Sequence, residues 1–356
     1  MRIGIFDPYL DDLGGGEKYM MTIAQCLSEN HQVDVFWDNQ QDLKDLNRRF
    51  AIDFSRVKIV TNLFSPRVST LKRFFQTRKY DSIIFLSDGS LPLLGSKKLF
   101  VHIQQPLKIM QTNSLIDKIK ISRVNSFFCN SEFTKSFIDQ KFHLKSAILY
   151  PPVDLNPKNI KKENIILHVG RFRVKNVKND DYKKQTVMID AFKQLIDKGL
   201  KNWKFVLAVS IQEKDQNAFE EVKKKTAGYP VDFLVNKNNN ELWNIYSKAK
   251  IYWHATGFGE DLVKNPEYAE HFGISTVEAM GAGAVPVVIN AGGQKEIVID
   301  GENGFTWDSL EELQAKTLKL VNDSSLLNKF SQNAIKTSKN FSKEKFFEQV
   351  NNLFVG

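Results

Sequence analysis

Residues 147–164, AILYPPVDLNPKNIKKEN, break the rhythm of the chain with three prolines and a charged stretch. Proline fixes φ and removes a backbone donor, so such a segment continues neither a helix nor a central strand. It reads as a linker. On its N-terminal side stand RIGIF (2–6), a helical pattern from Glu17 to Glu29, VDVFW (33–37), SIIFL (82–86), LFVHI (99–103) and SFFCN (126–130). On its C-terminal side stand NIILHVG (164–170), a helical stretch at 185–199, KFVLAVS (204–210), VDFLV (231–235), a second helical stretch at 239–249, IYWHAT (251–256) and AVPVVIN (284–290). Short β-rich runs alternating with helix-length segments indicate βα units on parallel sheets covered on both faces. The fold class is therefore α/β, with two Rossmann-like, doubly wound parallel-sheet domains facing a cleft. The expected domains are 1–155 and 156–340, with a helix at 341–356 returning to the N-terminal domain. The tail from Ser324 onward is helical in pattern.

Composition narrows the partners. A chain of 356 residues, 42% hydrophobic, can bury two cores. Its two cysteines, Cys26 and Cys129, form neither a disulfide framework nor a metal-ligand spacing, which suits a reducing, cytoplasmic setting. MRIGIFDPYL lacks the features of a signal peptide, and no window approaches the roughly 20 apolar residues needed to cross a bilayer. A net charge of +9 favours anionic partners: nucleic acid, a phospholipid surface or phosphorylated small molecules.

After the first strand, DDLGGGEKY (11–19) puts Gly14, Gly15 and Gly16 at a strand-to-helix turn. Glycines there let the backbone approach a ligand, and the helix N-terminus attracts phosphate. A dinucleotide fingerprint starting at Gly14 would place Tyr19 where a third glycine belongs, so the spacing argues against a nicotinamide cofactor. The glycines also fit a simple tight turn.

In the second half, LHVGRFRVKNVKNDDYKK (167–184) sets Gly170 and Arg171 at a strand end, with Lys183 and Lys184 just before a helix. An arginine fork and a mobile ammonium suit a diphosphate, while a lysine-rich loop can equally be a solvated surface. In EHFGISTVE (270–278), Ser275 to Glu278 match a capping box. A helix starting near Ser275 would aim the amides of Gly273, Ile274 and Ser275 at a phosphate, leaving Glu270 in the preceding loop.

Glu270-x7-Glu278 with internal Phe272-Gly273, followed by AMGAGAVPVVINAGGQKEIVIDGENGF (279–305), resembles the signature of retaining GT-B glycosyltransferases of family 4. GGGE (14–17), GRF (170–172) with a downstream lysine, NSEFTKSFI (130–138) and YPPVD (150–154) occur in the order expected of that family. The resemblance spans nearly the whole chain. WHATGFGEDLVKNPEYAEHFGISTVEAMGAG (253–283) is similar to a bacterial branch of the family and to lipid-linked oligosaccharide mannosyltransferases.

The resemblance implies transfer of a hexose or related sugar from a nucleotide diphosphate sugar to a glycan or lipid-linked acceptor, in cell-surface polysaccharide or glycoconjugate synthesis. The N-terminal domain would bind the acceptor and the C-terminal domain the donor. Gly15 and Gly16 would close over the diphosphate, and Arg171 with Lys183 or Lys184 would hold it. The insertion RVKNVKNDDY (173–182) leaves the choice of lysine open. Glu278 would bond the ribose hydroxyls, Glu270 would contact the transferred sugar, and His102 in FVHIQQP (100–106) would face it. Backbone near Val235 and Asn236 would hold the base. No Asp-x-Asp is present, in keeping with a site needing no divalent metal and no cofactor.

From residue 56 to residue 79 there is no acid, and Arg56, Lys58, Arg67, Lys72, Arg73, Arg78 and Lys79 mingle with Phe64, Leu71, Phe74 and Phe75. Such a stretch suits the inner face of an anionic membrane, as well as a solvated helix with a core-facing stripe. A non-catalytic nucleotide-binding GT-B protein is the alternative reading. Nucleic-acid binding is disfavoured, because the positive charge is spread over both halves without a recognition motif.

Overall fold

The computed structural model describes residues 1–12, 14–110, 114–174 and 181–355. Residues 175–180, most of the insertion noted above, lie outside the described residues. The chain divides into two compact units, Met1–Pro152 with Lys343–Gly356, and Val153–Ser342.

The first unit carries a seven-stranded sheet in the order β3-β2-β1-β4-β5-β6-β7, every pair parallel. Its strands are β1 (Arg2–Phe6), β2 (Gln32–Phe36), β3 (Val57–Val60), β4 (Ser82–Leu86), β5 (Lys98–Ile103), β6 (Ser126–Cys129) and β7 (Ser146–Ile148). The helices between them are α1 (Gly15–Ser28), α2 (Gln40–Phe50), α3 (Thr70–Thr77), α4 (Leu115–Ser122) and α5 (Glu132–Phe142). One face of the sheet packs Met20, Ile23 and Leu27 of α1 and Leu43 and Leu46 of α2 on Ile3, Ile5, Val33 and Ile84. The other gathers Phe36, Tyr80, Ile83, Phe85, Val101 and Ile138. All of β4 is buried, which is why its sequence reads as an unbroken apolar run.

The second unit repeats the plan with six parallel strands in the order β10-β9-β8-β11-β12-β13. In chain order it runs β8 (Glu163–Phe172), α6 (Gln185–Asp197), β9 (Lys204–Ile211), α7 (Gln216–Lys224), β10 (Val231–Val235), α8 (Asn239–Lys248) and β11 (Ala249–His254). It continues through α9 (Ile274–Gly281), β12 (Val285–Ile289), α10 (Gln294–Ile297), β13 (Phe305–Trp307), α11 (Leu310–Asn322) and α12 (Ser324–Ser338). Its core is rich in large side chains, among them Phe192, Phe205, Trp253 and Trp307. Burying each contributes about 1.5–3 kcal/mol. A last helix, α13 (Lys343–Phe354), belongs to the first unit, where Phe346, Val350 and Phe354 join the cluster around α1. The helical tail is thus two helices, parted by a turn at Lys339–Phe341.

Both sheets reverse direction beside their first strand, between β1 and β4 and between β8 and β11. In open α/β sheets ligands bind outside the carboxyl ends of the strands at such switch points. In the second unit, that position falls where β8 ends at Phe172 and β11 ends at His254.

Candidate active site

A proton pattern can be assigned at this switch point from hydrogen-bond partners alone. His168, buried in β8, has Nδ1 3.0 Å from the Trp253 carbonyl. A carbonyl only accepts, so Nδ1 carries the proton and Nε2 accepts from Gln185 Nε2 at 3.3 Å. Burial, helped by neighbouring His254, pushes His168 down to about 3, so the ring is neutral. Gly170 makes room here, since a Cβ would lie 3.0 Å from His168 Nε2.

The turn leading into α6 is tied down by buried Asp181, whose carboxylate accepts from the amides of Gln185 and Thr186 and, at 2.6 Å, from Thr186 Oγ1. Lys184 takes the left-handed φ of 56° there. The two lysines consequently diverge. Lys183 Nζ donates to Glu270 Oε2 at 2.6 Å, while Lys184 Nζ pairs with Glu260 Oε1 at 2.8 Å.

Glu270 itself rests on a backbone platform. The Gly293 amide donates to the Glu270 carbonyl at 2.8 Å. A Cβ on Gly292 would stand 2.3 Å from the Glu270 carbonyl oxygen, and one on Gly293 would stand 2.4 Å from that of His271. The loop therefore lies directly on this glycine pair. Phe272 is buried edge-on against Phe341, with ring centroids 5.3 Å apart.

His254 Nε2, at the end of β11, lies 3.0 Å from Glu270 Oε2. Burial opposes charge on Glu270, but the Lys183 ammonium and the His254 hydrogen bond overcome it and hold the carboxyl well below its usual value. An ionised carboxylate only accepts, so Nε2 of His254 carries the proton. His254 is itself pushed down by burial against the raising effect of Glu270.

The capping-box expectation is corrected. Gly273, with φ 118°, precedes a helix that starts at Ile274, and no side chain caps it. Ser275 and Glu278 lie inside α9 and face tyrosines instead: Tyr252 Oη donates to Ser275 Oγ and Tyr246 Oη to Glu278 Oε2, both at 2.8 Å. Thr276 and Val277 are the first residues of α9 to donate to the Gly273 carbonyl, so the amides of Ile274 and Ser275 precede the helical ladder. A Cβ on Gly273 would meet Gln294 Nε2 at 2.4 Å, so packing as well as φ requires glycine there.

The other expected residues are placed as follows. Arg171 is half-buried in β8 opposite Ser210, and its carbonyl accepts from Gln185 Nε2. Asn236, with φ 49°, pins the ends of β9 and β10: its amide donates to Val209 and its Oδ1 accepts from the Ile211 amide, both at 2.9 Å. In the first unit, Gly15 and Gly16 open α1, and a Cβ on Gly16 would meet Gln104 Oε1 at 2.3 Å. His102 is buried in β5 between the rings of Tyr19 and Phe128, each centroid 4.7 Å away, and Nδ1 donates to the Phe128 carbonyl. Burial brings it down to about 3, so it is neutral. The basic stretch at 56–79 is not one surface. Phe64 stacks on Phe6 at 4.2 Å and Arg73 donates to the Leu63 and Val68 carbonyls, leaving Leu71 and Phe75 as its exposed large apolar side chains.

Sequence reasoning missed His168 and His254. The available signal was WHAT at a strand end, which becomes informative only once β11 is known to lie beside β8. Among the described residues, no three of His, Cys, Asp and Glu stand so as to hold a metal ion. Nor, among the described residues, is any helix long and apolar enough to cross a membrane.

Residues 154–337, just over half of the chain, match the family described as Glycosyl transferases group 1. The chain belongs to this family. A group 1 chain of this kind is similar to the GDP-Man:Man(3)GlcNAc(2)-PP-Dol alpha-1,2-mannosyltransferase of Xenopus laevis, at 28% identity over 261 residues covering 67% of this chain and 48% of that one. It thus spans about half the length of that relative. It is also 25% identical over 388 residues to the alpha-1,3/1,6-mannosyltransferase of Dictyostelium discoideum, covering 91% of this chain and 90% of the other. Its fold matches the crystal structure of Anabaena HepE in complex with UDP, with TM-score 0.73, 20% identity and all of both chains covered. A glycosyltransferase from Rickettsia africae matches with TM-score 0.74 and 17% identity, covering 99% and 97% of the two chains. Two Rossmann-like parallel-sheet domains are thus the GT-B plan that this group 1 chain shares with its structural neighbours.

Proposed function

We propose that this chain is a retaining glycosyltransferase of family 4 that moves a hexose from a nucleotide diphosphate sugar to a glycan or lipid-linked acceptor. The observation carrying the reading is the arrangement at the β8/β11 switch point: Glu270 bound through one oxygen by Lys183 and His254, ahead of the free-standing first amides of α9. The activities of the two eukaryotic relatives favour mannose and a lipid-linked oligosaccharide. Cell-surface polysaccharide or glycoconjugate synthesis at the inner face of a membrane is the setting proposed.

In this reading Lys183, Arg171 and the α9 N-terminus take the diphosphate, with Gly170 beside them. Lysine has three donors and Glu270 uses one of those of Lys183, so a single ammonium can bridge carboxylate and phosphate. Lys184, paired with Glu260, is assigned a supporting role. Glu278 would take the ribose hydroxyls, Glu270 the sugar hydroxyls, and backbone at Asn236 the base. As the bond from anomeric carbon to phosphate oxygen breaks, these cationic groups stabilise the charge on the leaving diphosphate, with no metal or cofactor required. The acceptor hydroxyl forms the new bond on the same face, and its proton passes to the departing phosphate oxygen.

Membrane contact is proposed through α3 and α4. Leu71 and Phe75 on α3 and Leu115, Ile116 and Ile119 on α4 are exposed, and α4 buries no residue, while Lys72, Arg78, Lys118 and Arg123 supply charge. A thermal-shift screen of nucleotide sugars tests the function. A true donor at a hundredfold excess over its Kd should add about 2.7 kcal/mol of stability, and Glu278→Ala should weaken that effect. Stabilisation by none of the common donors would remove the proposal.

A further inference from the structure

We propose that His254 is the positioning residue of this site, fixing the Glu270 carboxylate so that Oε2 is occupied and Oε1 is presented to a hydroxyl of the bound sugar. This deepens the transferase reading and rests on it.

The argument begins with Glu270 as a side chain on a loop. Glutamate turns about three bonds, so its oxygens face a fixed direction only if something rigid holds them. Two groups do, one from the turn before α6 and one from the end of β11, and both bind the same oxygen: Lys183 Nζ at 2.6 Å and His254 Nε2 at 3.0 Å. Oε1 takes no hydrogen bond from the described residues, and the Glu270 side chain keeps 20% of its surface exposed. The carboxylate is therefore held at one end and open at the other.

The two holders differ in kind. Lys183 is a point charge on a flexible four-carbon stem, so it fixes no direction even while its ammonium bridges carboxylate and phosphate. His254 is a planar ring with 1% of its side chain exposed, between buried Trp253 and Ala255 in sequence. Orientation that survives donor binding must come from the ring. Thr256 Oγ1, 3.2 Å from the same Nε2, is a second acceptor that keeps the ring in this plane.

The other ring nitrogen rules out proton shuttling. Nδ1 of His254 is buried and has no partner among the described residues. A second proton would leave an N–H facing no acceptor, in a buried ring that burial already keeps neutral. The titratable groups facing Glu270 and His254 are Lys183, His168, His271, Tyr182 and Tyr252. His168 and His271 are held neutral by burial, at about 3 and about 4, which leaves Lys183 and Glu270 as the charged pair at neutral pH.

The test uses the full chain as His254→Phe, which keeps a ring and removes the donor, and His254→Gln, whose amide restores an N–H near the Nε2 position. With a donor that the wild type turns over, His254→Phe should lower kcat about a hundredfold, the scale of a misplaced reacting geometry, while donor KM stays within a few-fold. The acid limb of its kcat profile should move to higher pH, and His254→Gln should recover most of the rate. Full activity in His254→Phe would overturn the proposal, as would equal loss in both variants accompanied by equal loss of thermal stability. A second arm needs no substrate. In 15N-histidine protein the His254 resonance, identified by its loss in His254→Phe, should show the Nε2–H tautomer from pH 6 to pH 8, and the Glu270 carboxyl should titrate higher in that variant. An Nδ1–H tautomer, or an unmoved Glu270, would sink the positioning role even if no donor is found. Absence of any donor would by itself count only against the transferase reading.

Discussion

Glu270 and Lys183 make one electrostatic unit, because each is placed by a neighbour that leaves it little choice: the glycine pair under Glu270 and the Asp181-capped turn under Lys183. Replacing Lys183 by methionine keeps the stem and removes the charge. Its loss should lower kcat by about a hundredfold or more, as expected for losing a group that faces developing negative charge. Stability supplies an independent check. Glu270 is held below its unfolded value, so its contribution is present above about pH 4.3 and is lost as pH falls through the folded value. Lys183→Met should therefore lose less stability than wild type between pH 6 and pH 3. An identical acid profile would show that the pair contributes nothing to the fold.

At the scale of elements, the site depends on how the segment before α9 is laid on the turn before α10. Gly293→Ala would drive a Cβ to 2.4 Å from the His271 carbonyl oxygen and 2.5 Å from Phe272 Cα. Both obstacles are backbone, so no side-chain rotation relieves them. A loss of about 1–3 kcal/mol is expected, with displacement of Glu270 and loss of donor binding, read by denaturant melts and thermal shift. Unchanged stability would mean that the loop is not seated as described.

The same scale explains what could be read from the sequence. Buried central strands such as β4, β9 and β12 were legible because burial on both faces writes a continuous apolar run, and the parallel α/β plan followed. The short strands β3, β7 and β13 were not legible, since three or four residues carry no periodicity. Glu270 stood out by residue type and spacing, whereas Lys183 was one of two adjacent lysines between which the insertion at 173–182 left the choice open. His168 and His254 did not stand out, because a histidine in an apolar run reads as core, and their chemistry depends on which strands become neighbours. Ser275 and Glu278 misled for the opposite reason: a capping-box spacing costs nothing to match, and Gly273 had already begun the helix.

The whole molecule carries a buried acid outside this cluster. Asp7, at the end of β1, has no exposed surface, and Oδ2 has no partner among the described residues. Burial, reinforced by Glu17 and Asp11 against the Tyr9 amide bond, pushes it up to about 8. A raised folded value means that its contribution is intact below about pH 4 and declines as pH rises towards 8. Asp7→Asn, which keeps an acceptor for Tyr9, should match wild type near pH 4. It should become more stable by roughly 1.4 kcal/mol per pH unit above that, up to pH 8. A pH-independent difference would refute the buried, protonated acid. The net charge of +9 belongs to the same scale. Anionic vesicles should sediment the protein at low salt, and Leu115→Asp with Ile119→Asp should release it; equal sedimentation of the double variant would remove α4 from the contact.

The central claim is that the β8/β11 switch point of the second unit holds the diphosphate of an activated sugar. A crystal soaked with the stabilising nucleotide sugar tests it most directly. The account predicts phosphate oxygens within hydrogen-bond distance of Lys183 Nζ and the amides of Ile274 and Ser275, with a sugar hydroxyl on Glu270 Oε1. A donor bound elsewhere while Glu270 keeps Lys183 and solvent as its neighbours would contradict it.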